Sequence, residues 1–404
     1  MRILTMALMA CLTLAGLARA APSAKDRAAI AAIEDRLLPS APDLAARTLT
    51  ARMAALKIPG VSIAFIENGK VKWVRAYGVA DVADKRSVTP ETLFQAASLS
   101  KMVAAAGALR LVELGKLDLD ENVNARLKTW QVPASAYTAT QKVTMRRLLS
   151  HTAGLTISGV PGYVAGKPIP TIVQMLNGTP PANTPPVRSF EPPGQSFAYS
   201  GGGYAVAQLV MAEAGGAPYP ELLARLVLKP AGMWRSTLAQ PLPDRLMLEA
   251  AKGYNKKGDA IPGGRNTYPE VAAGGLWATP TDYGRFLIGL QNAYIGRRSA
   301  FLAPSSSLAM MTPISAGYGL GTDLRRRGGR PAFGHGGTNW GFQCASFAFL
   351  DGSRQGVVVM TNGEDGNLLI GEIMQALAKT YDWGEFETVD GQSRRAPFLP
   401  PMPK

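Results

Sequence analysis

Histidine and cysteine are nearly absent: His151, His335, Cys11 and Cys344 are the only ones among 404 residues. So few imidazoles exclude a histidine-rich metal site and a conventional zinc hydrolase, and no metal or other cofactor is expected. Cys11 lies in an apolar N-terminal run that reads as a removable leader, which leaves Cys344 alone and excludes an internal disulfide in the mature protein. Beyond that run no apolar stretch approaches the ~18 to 20 residues of a spanning helix, so no integral membrane span is expected. Acidic side chains are also in short supply, 29 against 43 Lys and Arg, for a net charge of +14. The basic residues, however, are scattered as pairs such as Arg146-Arg147 and Lys256-Lys257 and the triplet Arg325-Arg326-Arg327, with no interleaved aromatic platform. That pattern reads as a solvated basic surface and excludes nucleic acid as a partner. Neither an internal repeat nor a polar low-complexity tract is present.

What the chain does have is apolar content, 47% of its residues, and a length beyond the size at which single cores usually stop growing. The first residues, MRILTMALMACLTLAGLARA, combine Arg2, an apolar run from Ile3 to Leu17 and Ala18-Arg19-Ala20. This is the pattern of a secretory signal peptide with an Ala-x-Ala cleavage site, so an exported protein beginning at Ala21 is expected, periplasmic or secreted. Leu8-Met9-Ala10-Cys11 faintly resembles a lipoprotein box but leaves too short an apolar run before the cysteine.

Along the chain, Val61–Ile66 and Lys70–Val74 are β-rich runs joined by Asn68-Gly69, a hairpin signal. Met102–Leu114 shows helical apolar spacing ending at Gly115. Helices and long loops follow, including the proline-rich stretch from Thr179 to Pro193, which cannot be a regular interior element. Thr279-Pro280 opens a further helix. The segments Tyr318–Leu324, Phe333–Leu350 and Gln355–Thr361 read as three consecutive antiparallel strands, closed by a helix over Leu368–Tyr381. Strands at both ends with helices between predict an α/β (α+β) fold. An antiparallel sheet is formed from both chain ends and flanked by helices, with a mostly α-helical domain inserted in the middle. The expected division is a signal peptide over 1–20, the sheet domain over 21–120 and 260–385, the helical insertion over 121–259 and a tail over 386–404.

The stretch ASLSKMV places Ser98 three residues before Lys101, near a helix start, where both project from nearly one face. A serine hydroxyl is a weak nucleophile until a base takes its proton, and a desolvated lysine can be that base. Unpaired N–H groups at a helix start can in addition stabilise an oxyanion. Two other stretches carry chemistry: FAYSGGGY puts Tyr199 on a loop before a helix, and FGHGGT puts His335, Gly336, Gly337 and Thr338 on a strand that small residues open to close approach. Ala198-Tyr199-Ser200-Gly201-Gly202 also mimics a nucleophile elbow, which would pair Ser200 with His335, but a proline-rich segment precedes it where an elbow needs a core strand.

In order and spacing these stretches, with LLSHTAGL, AGGLW and MTN, resemble the serine β-lactamase and penicillin-binding-protein superfamily. The branch is the class C β-lactamase-related one, with D-alanyl-D-alanine carboxypeptidases, D-aminopeptidases and family VIII esterases. The resemblance implies Ser98 as the acylated nucleophile, Lys101 as base or its electrostatic partner, and Tyr199 as proton relay to the leaving group. It also implies an oxyanion hole from the backbone N–H groups of Ser98 and Thr338, with His335, Gly336 and Gly337 lining the substrate. Two departures bear on substrate. Tyr199-Ser200-Gly201 replaces Tyr-x-Asn and loses a side-chain amide; His335-Gly336-Gly337 replaces Lys-Thr-Gly and loses a fixed cation. They lean the expectation towards small carboxylic esters, with D-alanyl peptides or β-lactams as the alternative and a non-catalytic cell-wall-binding protein as a further one. His151 reads as structural, in a helix-to-loop turn, and Cys344 as a buried small hydrophobe. The sequence leaves the oligomeric state open.

Overall fold

A computed structural model of the chain describes residues 22–39, 45–297 and 299–388. The leader with Cys11, its cleavage site and the tail beyond 388 lie outside the described residues. Strands β1 (Gly60–Glu67) and β2 (Lys70–Asp81) form the expected hairpin, with Asn68 and Gly69 both at positive φ as a tight hairpin turn requires. Short strands follow: β3 (Arg86–Ser87), β4 (Phe94–Ala97), β5 (Tyr163–Val164), β6 (Asn266–Thr267) and β7 (Leu276–Ala278). The C-terminal part supplies β8 (Asp323–Arg327), β9 (Arg330–Asn339), β10 (Phe342–Phe349), β11 (Gly356–Thr361) and β12 (Phe386–Thr388).

Eight of these strands make one antiparallel sheet in the order β12-β8-β9-β10-β11-β1-β2-β3. The chain's two ends therefore meet in the middle of the sheet, where Ile63 of β1 stands opposite Val359 of β11. Two readings need correction. Phe333–Leu350 is not one strand but the end of β9 and all of β10, turned at Trp340-Gly341 with Gly341 at φ 78°. Tyr318–Leu324 is mostly a turn, with Tyr318 N–H donating to the Ser315 carbonyl, and its strand begins only at Asp323.

Both faces of the sheet are covered, and the run GVVVMT shows why it carries no polar alternation. Val357 and Val359 point into a core with Phe65, Phe347, Ile373 and Trp383, while Val358 and Met360 point into the other. The first core is closed by the helices Ala24–Asp35, Leu49–Ala55 and Gly366–Tyr381. Arg52 and Glu372, both wholly buried, join two of them through paired contacts of 2.8 and 2.7 Å. The second core holds the helices Ser100–Glu113, Gly201–Gly215 and Pro280–Tyr294. Apart from the helix Gly201–Gly215, the chain between 118 and 240 runs as short helices and long loops, with no helix across the proline-rich stretch. No described helix is long and apolar enough to cross a membrane.

Candidate active site

β4 ends at Ala97, a non-glycine residue at φ 47°, a left-handed conformation that bulkier side chains resist. This reversal lifts Ser98 out of the strand before the helix Ser100–Glu113 begins. Ser98 thus sits in the turn before the helix rather than in its first turn. Ser100 ties the turn down: its hydroxyl donates to the Ala97 carbonyl at 2.6 Å and accepts the Leu276 N–H of β7 at 3.0 Å.

Lys101, 2% exposed, brings Nζ to 3.1 Å from Ser98 Oγ and donates to the Ala273 carbonyl at 2.7 Å. Burial brings its pKa down to about 7, so its amine is available near neutrality. Nζ lies 4.9 Å from the ring centroid of Tyr199 and 5.4 Å from that of Tyr204. The Tyr199 hydroxyl is buried with no hydrogen bond of ordinary geometry. Burial raises its pKa, and the neighbouring Ser98 hydroxyl draws it back only in part, so the phenol keeps its proton.

His335, 3% exposed, lies on the stretch of β9 that runs past its pairing with β8, which stops at Gly334 opposite Asp323. Its ring centroid is 6.2 Å from that of Tyr199. Nδ1–H donates to the Gly336 carbonyl, and Nε2, 3.0 Å from the Tyr318 hydroxyl, accepts from it. Burial first, then the Lys101 charge, push its pKa down to about 3. The imidazole is therefore neutral throughout the physiological range and does not titrate near its reference value. Gly337 shows why β9 is glycine-rich here: a Cβ would stand 2.7 Å from the Ala96 carbonyl and 2.5 Å from Cys344 Sγ. The strand can thus lie against the turn that carries Ser98. Thr338 follows, half-buried, its hydroxyl donating to Gln343 Oε1 at 2.7 Å.

Ser98, Lys101, Tyr199 and His335 are thus brought together, with Gly336, Gly337 and Thr338 along the strand beside them. Ser200 is not part of an elbow: its hydroxyl caps the helix Gly201–Gly215, accepting from Gly203 N–H at 2.8 Å and donating to the Thr156 carbonyl at 2.9 Å. Cys344 is buried, as its apolar neighbours suggest. Sequence reasoning missed Tyr318, which holds His335 and which nothing local marked. It read His151 as structural from its place in LLSHTAGL but did not bring it to the site, where its ring packs 4.1 Å from that of Tyr199.

The model of the family described as "Beta-lactamase" matches residues 45–376. In sequence the chain is similar to a D-aminopeptidase of Brucella anthropi, 26% identical over 327 residues that cover 77% of this chain and 57% of that one. The chain spans about half the length of such relatives. In structure it is similar to an octameric penicillin-binding protein homologue from Pyrococcus abyssi, with TM-score 0.68, 24% identity, and 83% and 76% of the two chains covered. A class C β-lactamase from Rhodobacter sphaeroides superposes with TM-score 0.66 at 18% identity, covering 88% and 99%. The mixed fold, with its large antiparallel sheet and flanking helices, is theirs, and the match of most of the chain to the family places it: this protein belongs to the beta-lactamase family.

Proposed function

We propose that the protein is an exported serine hydrolase that cleaves small uncharged carboxylic esters through an acyl-enzyme on Ser98. The observation that carries this reading is Lys101 Nζ, buried and 3.1 Å from Ser98 Oγ, with its pKa brought down to about 7. In its neutral form the amine takes the serine proton as Oγ attacks the ester carbonyl carbon. The backbone N–H groups of Ser98 and Thr338 hold the oxyanion. Tyr199 gives its phenolic proton to the departing alkoxide as the C–O bond breaks and takes one in turn from the Lys101 ammonium, which restores the neutral amine. Water then attacks the acyl carbon and loses a proton to Lys101, and as the bond from the acyl carbon to Ser98 Oγ breaks the ammonium returns that proton to Oγ, releasing the carboxylic acid. Lys101 is favoured over Tyr199 as the base because the phenol's pKa is raised and the amine's lowered.

Two features support neutral esters. His335 offers an uncharged imidazole already engaged with Tyr318 and Gly336, so it supplies no cation for a substrate carboxylate. Gly201 stands where Tyr-x-Asn carries its amide and offers no side chain, and the Ser200 hydroxyl beside it is spent on helix capping. The D-aminopeptidase relative supports a second reading, hydrolysis of D-amino-acid peptides at the same serine.

Mature protein should be tested side by side on short and long chromogenic esters, a chromogenic cephalosporin and D-alanyl peptides. An organophosphonate should label Ser98, short esters should be turned over best, and N-terminal sequencing of exported protein should find Ala21 first. Label at another serine would overturn the site, and preference for D-alanyl peptides would select the second reading.

A further inference from the structure

His151 grips the Tyr199 segment from both sides. Its backbone carbonyl accepts the Ala198 N–H at 2.7 Å, and its side-chain Nδ1 accepts the Ser200 N–H at 3.0 Å. The residue between these two anchors is Tyr199, and its ring is tilted against the imidazole at 4.1 Å between centroids. A single residue can offer its carbonyl and its side chain to donors two positions apart because His151 adopts φ 59°, a left-handed conformation uncommon for a side chain of this size. One more contact tightens the strap: the Thr152 carbonyl accepts the Gly194 N–H at 2.6 Å.

The hydrogen bond also fixes the imidazole's chemistry. Because Ser200 N–H donates to Nδ1, that nitrogen carries a lone pair and the ring proton sits on Nε2. Nε2 is buried with no hydrogen-bond partner, and the ring is 1% exposed, so His151 is a neutral acceptor with no route to a substrate. Around it stand Phe197, Tyr199, Tyr204 and Tyr318, all within 5.7 Å between ring centroids.

We propose that His151 is a positioning residue for catalysis: by bracketing Ala198 and Ser200 it sets where the Tyr199 hydroxyl stands relative to Ser98. This rests on the reading of Tyr199 as the proton relay. A relay displaced by about 1 Å can lose roughly a hundredfold in rate while substrate binding is unchanged.

The test is a double-mutant cycle on ester turnover. His151→Ala should lower kcat about 30-fold with KM within about threefold, but in the Tyr199→Phe background the same change should cost less than about threefold, since the relay is already gone. His151→Asn should recover most of the lost rate, because its Oδ1 takes the place of Nδ1 and asparagine tolerates positive φ. Should the alanine variant not fold, His151→Phe, which keeps the ring and lacks the acceptor, serves in the same cycle. A loss of equal size in both backgrounds, or an asparagine variant as slow as the alanine one, would overturn the positioning role alone. A Tyr199→Phe enzyme as fast as wild type would overturn the relay and the positioning role together.

Discussion

Lys101 is the residue whose protonation should set the working pH. Desolvation lowers its pKa to about 7, so below that value the ammonium has no lone pair with which to take the serine proton. The value of kcat/KM for a neutral ester should rise about tenfold per pH unit up to roughly pH 7 and level off above it, because this ratio reports groups of the free enzyme. Lys101→Arg should be inactive at every pH, whereas Tyr199→Phe should fall by at least ~100-fold yet keep the same acid limb. An acid limb that vanishes with Tyr199 instead would move the base to the phenol. At this scale the sequence was partly legible. Spacing alone brings Ser98 and Lys101 together, and the resemblance supplied Tyr199. Whether a group is charged could not be read, because the states of Lys101 and His335 depend on burial by elements far apart in the chain.

Elements announced themselves where turn chemistry is explicit and stayed hidden where it is not. Asn68-Gly69 between two β-rich runs reads directly as a hairpin, and Thr279 caps the helix Pro280–Tyr294 through its hydroxyl, with Asp282 N–H donating at 3.1 Å. The turn at Trp340-Gly341 was lost because glycine and polar residues already run from Gly334 to Asn339, so nothing sets the turn apart from the strand that leads into it. Nor does periodicity disclose that the helix Leu49–Ala55 is joined to Gly366–Tyr381 by the buried pair of Arg52 and Glu372. Removing the Glu372 carboxylate takes away the anion that faces the buried Arg52 guanidinium. Glu372→Gln should therefore destabilise the fold by about 3 to 5 kcal/mol in chemical denaturation, and replacing both with apolar residues of similar volume should regain most of it. A loss below about 1 kcal/mol for the single variant would show that this pair does not hold the two helices together.

Over the whole molecule, the sheet's centre is the junction of β1 with β11, and its other strands extend outward from there. β11 also completes the apolar layers on both faces, through Val357 and Val359 on one side and Val358 and Met360 on the other. A chain ending at Leu350 should therefore lack a cooperative unfolding transition and should not be labelled at Ser98 by phosphonate. Rapid labelling of such a truncated chain would show that the turn carrying Ser98 forms without the joined sheet. Pairings so distant in sequence form late, since loop closure costs entropy before the contacts return it. The order of synthesis then gives the molecule a clock. Ser98 and Lys101 leave the ribosome long before the strand that consolidates the sheet behind them. The unfinished chain should be chemically silent, with the proposed reactivity appearing only when its last strands arrive, wherever the chain happens to be by then.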